Sequence, residues 1–226
     1  MTHFDRRGVL RLAAAGMAGL VLPTAYARAQ QAGVSDGRIL FGQAAPLEGP
    51  AAALGTGMRD GILAAFGEAN AHGGIGGRKL ELMTIDDGYE PARAIAATRK
   101  LIDEDNVFGL IGPVGTPTSN ATQPLAAAAG VPFIGPFTGV ESLRTPHKPN
   151  VVNVRASYFQ ETEVMVERLT RDLGARRIAI FYQDDAYGRA GLAGTRIALD
   201  KRKMALVAEG TYERNTTAVK MALIEI

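Results

Sequence analysis

From residue 38 to residue 209, short apolar runs alternate with longer amphipathic segments, and this alternation restricts the chain to strands and helices in turn. Such a pattern predicts an α/β fold with parallel sheets joined by right-handed crossovers. Strands are expected at Arg38–Gly42, Lys79–Asp86, Val107–Ile111 and Val131–Ile134. A second series follows at Val151–Arg155, Arg177–Tyr182 and Ala205–Glu209. Helices fit between them: a buried stripe of Leu54, Met58, Ile62, Ala65, Phe66 and Ala69, then Pro91–Glu104, Thr118–Ala129, Glu161–Leu173 and Gly188–Lys201. A last helix is expected from near Thr216. The long loop from Gly135 to Asn150 divides the series into one lobe over 30–150 and part of a second over 151–226. Three strands at most are few for a lobe that packs helices on both faces, so the chain reads as C-terminally truncated. Parallel crossovers place strand carboxyl ends on one edge, so the loops after Ala45, Asp86, Gly112, Ile134 and Tyr182 should gather at a cleft.

The middle of the chain narrows what that cleft holds. Val107–Ile111 is apolar without alternation, as a buried parallel strand is, and it breaks into Gly112, Gly115, Thr116, Thr118 and Ser119 before a helix. Free amides at a helix start attract carboxylates, which predicts a pocket for a small anionic or zwitterionic ligand. The other reading is that these hydroxyls cap the helix. Phosphate and dinucleotide chemistry are excluded: Gly112–Ser119 lacks a phosphate-loop lysine, and the four glycines between Asn70 and Arg78 follow a helix rather than a strand. Asp86–Asp87 and Asp184–Asp185 read as turn and cap residues, because neighbouring side chains at a strand end point apart. His72 and His147 stand alone in loops, and no metal site, nucleophile elbow or cofactor motif is found. With no cysteine, disulfides and thiol catalysis are excluded.

The first 29 residues read as an export signal. Arg6–Arg7 precede the apolar Gly8–Leu22, and Ala27–Arg28–Ala29 supplies small residues for cleavage after Ala29. Arg11 interrupts the run, which is too short for a membrane span. Without this segment the chain carries 21 basic and 22 acidic side chains, a net charge of −1, against +2 with it. No basic footprint for nucleic acid remains. The twin-arginine start implies a periplasmic destination, with no stable membrane insertion after processing.

Several short motifs occur in order. They are Asn70–Ala71–His72–Gly73–Gly74–Ile75–Gly76–Gly77–Arg78–Lys79–Leu80, Asp86–Asp87–Gly88–Tyr89–Glu90–Pro91, Leu110–Ile111–Gly112, Pro136–Phe137–Thr138–Gly139, Asn153–Val154–Arg155–Ala156–Ser157–Tyr158 and Asp184–Asp185–Ala186–Tyr187–Gly188. Together they resemble the type I periplasmic solute-binding proteins of ABC importers, in the branched-chain amino acid (Leu/Ile/Val)-binding group. The resemblance implies two Rossmann-like lobes that close on a small amino acid or related carboxylate, with an importer permease as partner. It places ligand contacts at Val114–Gly115–Thr116 and Phe137–Thr138–Gly139, and an aromatic contact at Tyr187. Tyr158 falls near the expected interlobe crossing, where Arg155 could equally be a structural ion-pair partner. The first loop has Ala51–Ala52–Ala53–Leu54 where such binders commonly place an aromatic, and Phe137 fills a place that is small in the best-known members. A ligand sensor that signals to a partner protein is the competing function, and an enzyme is disfavoured for want of a catalytic constellation.

Overall fold

The computed structural model describes residues 31–226; the signal segment 1–29, its cleavage point and His3 lie outside the described residues. Strand β1 (Arg38–Ala45) runs inside a five-stranded sheet, next to its edge. Helix α1 (Ala52–Ala71) leads to β2 (Lys79–Asp86), and α2 (Pro91–Arg99) to β3 (Gly109–Ile111). Helix α3 (Thr116–Ala128), β4 (Phe133–Ile134) and β5 (Val151–Val152) complete this part. The spatial order is β2-β1-β3-β4-β5, with every neighbouring pair parallel. After α4 (Tyr158–Arg171), β6 (Ile178–Gln183) pairs in parallel with β7 (Leu206–Tyr212) across α5 (Ala186–Asp200), and α6 (Lys220–Ile224) follows.

The α/β class with parallel sheets is as the alternation predicts, and four local expectations need correction. The strand expected at Val151–Arg155 to open the second series is two residues long and pairs with β4 at the edge of the first sheet. It ends there because Asn153 donates its amide to the Leu143 carbonyl and Arg155 turns to pair with Glu161. The helix expected over Pro91–Glu104 is α-helical only to Arg99 and widens into a π-turn over Lys100–Glu104, where Leu101 is fully buried. In α1 the buried residues are Gly55, Ile62 and Phe66, whereas Leu54 and Ala65 face solvent. The last helix starts at Lys220 rather than near Thr216.

Two apolar clusters hold these layers. The larger joins Leu40, Leu101, Val107, Leu110, Phe133 and Leu143 with Tyr158 beneath the five-stranded sheet. The smaller consists of Val166, Ile178, Ala198 and Leu199 between β6, α4 and α5. At about 25 cal/mol per Å² of apolar area buried, the larger cluster contributes more of the stability. Among the described residues no helix is long and apolar enough to cross a membrane.

Candidate functional site

A cavity of about 460 Å³ opens where the carboxyl ends of the strands converge. Its walls come from the segment after every one of the strands: Leu54 after β1, Tyr89 after β2, Val114 and Gly115 after β3, and Phe137 after β4. Arg155 and Tyr158 follow β5, Tyr187 follows β6, and Asn215 follows β7, beside Gln183 and Tyr212 at the strand ends. This is the convergence that parallel crossovers dictate. A second cavity of about 420 Å³ runs between α4 and β6, and its lining is mostly apolar, including Met165, Leu169 and Ile180. The first cavity is the candidate site because it joins both sheets and mixes aromatic rings with polar groups.

The loops after β3 and β4 form one wall by pairing with each other. Phe137 N–H donates to the Pro113 carbonyl at 2.8 Å, and Gly115 N–H donates to Phe137 at 3.3 Å. Gly115 takes φ +96°, and a Cβ there would lie 2.0 Å from the Tyr89 ring, so only glycine lets that ring reach the cavity. Neither Thr116, Thr118 nor Ser119 caps α3. Its N-cap is Gly115, and the Thr118 hydroxyl donates back to the Val114 and Gly115 carbonyls. The Ser119 hydroxyl is buried without a partner among the described residues.

Of the residues singled out from the sequence, Val114, Gly115, Phe137, Tyr158 and Tyr187 line the cavity together. Thr116, Thr138 and Gly139 do not. Thr116 and Thr138 are 0% and 1% exposed, and their hydroxyls lie 2.6 Å apart behind the wall. Both face the Tyr158 hydroxyl, at 3.4 Å from Thr116 and 3.2 Å from Thr138. Gly139 accepts from Tyr158 N–H at 2.7 Å and has no room for a Cβ beside the Tyr158 ring. These three residues therefore fix the tyrosine.

Helix starts aim the two tyrosines. Ser157 caps α4 in a reciprocal box: its hydroxyl accepts from Gln160 N–H, and the Gln160 side chain accepts from Ser157 N–H. Tyr158 is thereby held as the first helical residue. Asp185 caps α5, accepting from Tyr187 N–H at 2.9 Å and Gly188 N–H at 3.4 Å, as the acid pair's turn chemistry predicts. The Tyr158 and Tyr187 rings meet edge to face with centroids 5.5 Å apart. Burial raises the pKa of the Tyr187 hydroxyl, so it stays a neutral donor.

Two residues outside the expected ligand contacts, Tyr89 and Arg155, shape the site. Tyr89 is 6% exposed, sits at φ +61°, and is held there by Asp87, whose carboxylate accepts its N–H at 2.8 Å. A bulky side chain at positive φ is strained, and such strain gathers at functional sites. Arg155 places its guanidinium 5.5 Å from both the Phe137 and Tyr158 ring centroids while pairing with Glu161. The Asp87–Gly88–Tyr89 turn motif signals the first; nothing in the spacing signals the second. Among the described residues no group of three or more His, Cys, Asp or Glu side chains forms a metal site.

The family model described as periplasmic binding protein matches residues 38–226. The Leu/Ile/Val-binding protein BraC3 of Rhizobium johnstonii is 31% identical over 176 residues, which make up 78% of this chain and 46% of the relative. A solved structure of a possible leucine/isoleucine/valine-binding protein from Rhodopirellula baltica is 40% identical with a TM-score of 0.79, covering 88% of this chain and 53% of that one. The branched-chain amino acid transporter substrate binding protein LivJ of Streptococcus pneumoniae, solved with isoleucine, has a TM-score of 0.73 at 26% identity, over 84% and 53% of the two chains. The chain spans about half the length of the curated relatives it matches. With matching sequence from β1 onward and the fold of these structures, the chain belongs to the periplasmic binding protein family, alongside the Leu/Ile/Val-binding proteins.

Proposed function

We propose that this protein is an exported receptor that captures a small amino acid or related carboxylate and delivers it to an ABC importer. The observation that carries the reading is the cavity itself, walled by the segments after all the strands of both sheets. A ligand seated there touches both sheets at once, so it stabilises the closed arrangement by its differential affinity for it. Val114, Gly115, Phe137, Tyr158 and Tyr187 contact the ligand, and Thr116, Thr138 and Gly139 hold Tyr158 in place. Export by the twin-arginine segment puts the receptor in the periplasm, where a permease takes the cargo. The names of the relatives support the amino-acid end of this range.

The test is a thermal-shift screen of amino acids and organic acids on the purified protein. A true ligand at a hundredfold excess over its Kd adds about 2.7 kcal/mol of stability, a readily visible rise in melting temperature. A flat response across the whole screen would remove the main support for a transport role.

A further inference from the structure

We infer, resting on the receptor reading, that Tyr89 determines specificity in the cleft, as a fixed wall that limits the size of the ligand's body. Tyr89 lines the cavity from the turn after β2, outside the contacts that the family resemblance implies. That turn is pinned at each of its residues. Asp86 accepts from Leu47 N–H at 2.7 Å and from Gly88 N–H at 3.1 Å, which ties the turn to the loop after β1. Asp87 N–H donates to the Ala45 carbonyl at 3.2 Å, and the Asp87 carbonyl accepts from Glu90 N–H at 3.0 Å, besides the side-chain bond to Tyr89 N–H. From the second sheet, Asn215 donates to the Gly88 carbonyl, and Asn215 and Arg214 donate to Glu90. The residues on both sides of Tyr89 are therefore held, and its ring rests over Gly115, where not even a Cβ fits.

A wall that cannot move discriminates by size, whereas one that can move adapts to its ligand. Phe137 and Tyr187 also line the cavity, but they are 36% and 41% exposed and have solvent to turn into. Tyr89 is buried and has no such freedom. Nor does the turn itself require a tyrosine. At φ +61° glycine fits without strain and asparagine at little cost, so the ring stands there against the backbone preference. Against a rigid apolar wall, one methylene too many on the ligand costs about tenfold or more in affinity. The competing reading is that the ring only fills the space over Gly115. It predicts a loss of stability on truncation, with no change in which ligands bind.

The test is calorimetric titration of the purified protein with two ladders of increasing body size. One is alanine, valine, leucine, phenylalanine and tryptophan; the other is the acids without the ammonium group, propionate, isovalerate, 4-methylvalerate, 3-phenylpropionate and indole-3-propionate. In the ladder that binds, the wild type should show a size beyond which affinity falls at least tenfold. Tyr89→Gly, relaxed at that φ, should move the fall at least one step up the ladder, and Tyr89→Phe, which keeps the ring, should leave it in place. Tyr89→Asn, which also accepts positive φ, replaces the glycine variant if unliganded melting temperatures show that variant to be unfolded. A truncated variant that melts lower but keeps the wild-type size order would show the ring to be a filler, overturning the inference and leaving the receptor reading standing. Affinity that does not fall with size in the wild type overturns it in the same way. A shift in Tyr89→Phe as large as in Tyr89→Gly would assign selection to the hydroxyl and overturn the size wall. Silence from both ladders overturns the inference and removes support from the receptor reading as well.

Discussion

Asp87 has no solvent exposure, and its two oxygens have different fates: Oδ1 accepts from Tyr89 N–H, while Oδ2 has no partner among the described residues. Burial pushes its pKa from 3.8 up to about 6, with the neighbouring Asp86 charge adding to the rise. Below pH 4 the carboxyl is protonated in folded and unfolded chains alike and costs nothing. Between pH 4 and 6 the unfolded chain ionises first, so stability falls as pH rises, and above 6 the loss is complete at about 3 kcal/mol. Asp87→Asn abolishes this titration. Urea unfolding at pH 4, 5.5 and 7 should therefore show the variant gaining on the wild type as pH rises; a constant difference would mean the carboxyl does not titrate there. The residue scale is also where the sequence was least legible. A hydroxyl after a buried strand marks a polar loop, but Thr116 and Thr138 show that it does not tell which side of the wall the side chain takes. Tyr89 escaped notice because its positive φ is imposed by Asp87 and by the space above Gly115, neither of which has a sequence period.

Helix α4 shows how an element turns a local rule into site geometry. Ser157 and Gln160 close the capping box, and Tyr158 follows the cap directly into the hydroxyl cluster with Thr116 and Thr138. Ser157→Ala leaves the Gln160 amide without its acceptor and should cost about 1 kcal/mol. Hydrogen exchange should show the Gln160 amide losing protection while the α1 and β1 amides keep theirs; uniform loss would place the defect elsewhere. Elements of this kind were largely legible, since each strand and helix has its own hydrophobic period or a plain apolar run. The misreadings lie where tertiary contacts end an element early. Val151–Arg155 has the composition of a strand, yet Asn153 leaves it for Leu143. The helical run from Pro91 has the right residues to Glu104, yet it widens to bury Leu101. Sheet membership was equally hidden, because β5 is alike in composition to a strand of either series and only its pairing with β4 assigns it.

At the scale of the molecule, the two sheets are tied across the cleft by side chains as well as by the chain. Arg214, beyond β7, donates to Glu90 beyond β2 at 2.8 Å and to Asp185 at the start of α5 at 3.3 Å. Asn215 adds bonds to the Gly88 carbonyl at 3.0 Å and to Glu90 at 2.7 Å. Partial burial alone would raise the Glu90 pKa, but the hydrogen bonds from Arg214 and Asn215 outweigh it and leave the carboxyl below its usual range. Under the hinge-closure reading these bonds exist only while the sheets face each other, so they bias the empty receptor toward closure. Both Glu90 and Arg214 keep some solvent contact, which limits their coupling to about 1–2 kcal/mol. A double-mutant cycle with Glu90→Gln and Arg214→Gln should return a coupling of that size, shrinking in 0.5 M salt as screening shortens the reach of the charges. Each single variant should also bind ligand several-fold more weakly, chiefly through faster release, because the closed state loses a contact that the open state never had. Additive single effects with unchanged affinity would mean that Arg214 braces only its own side of the cleft, through Asp185, and that closure depends on the ligand alone.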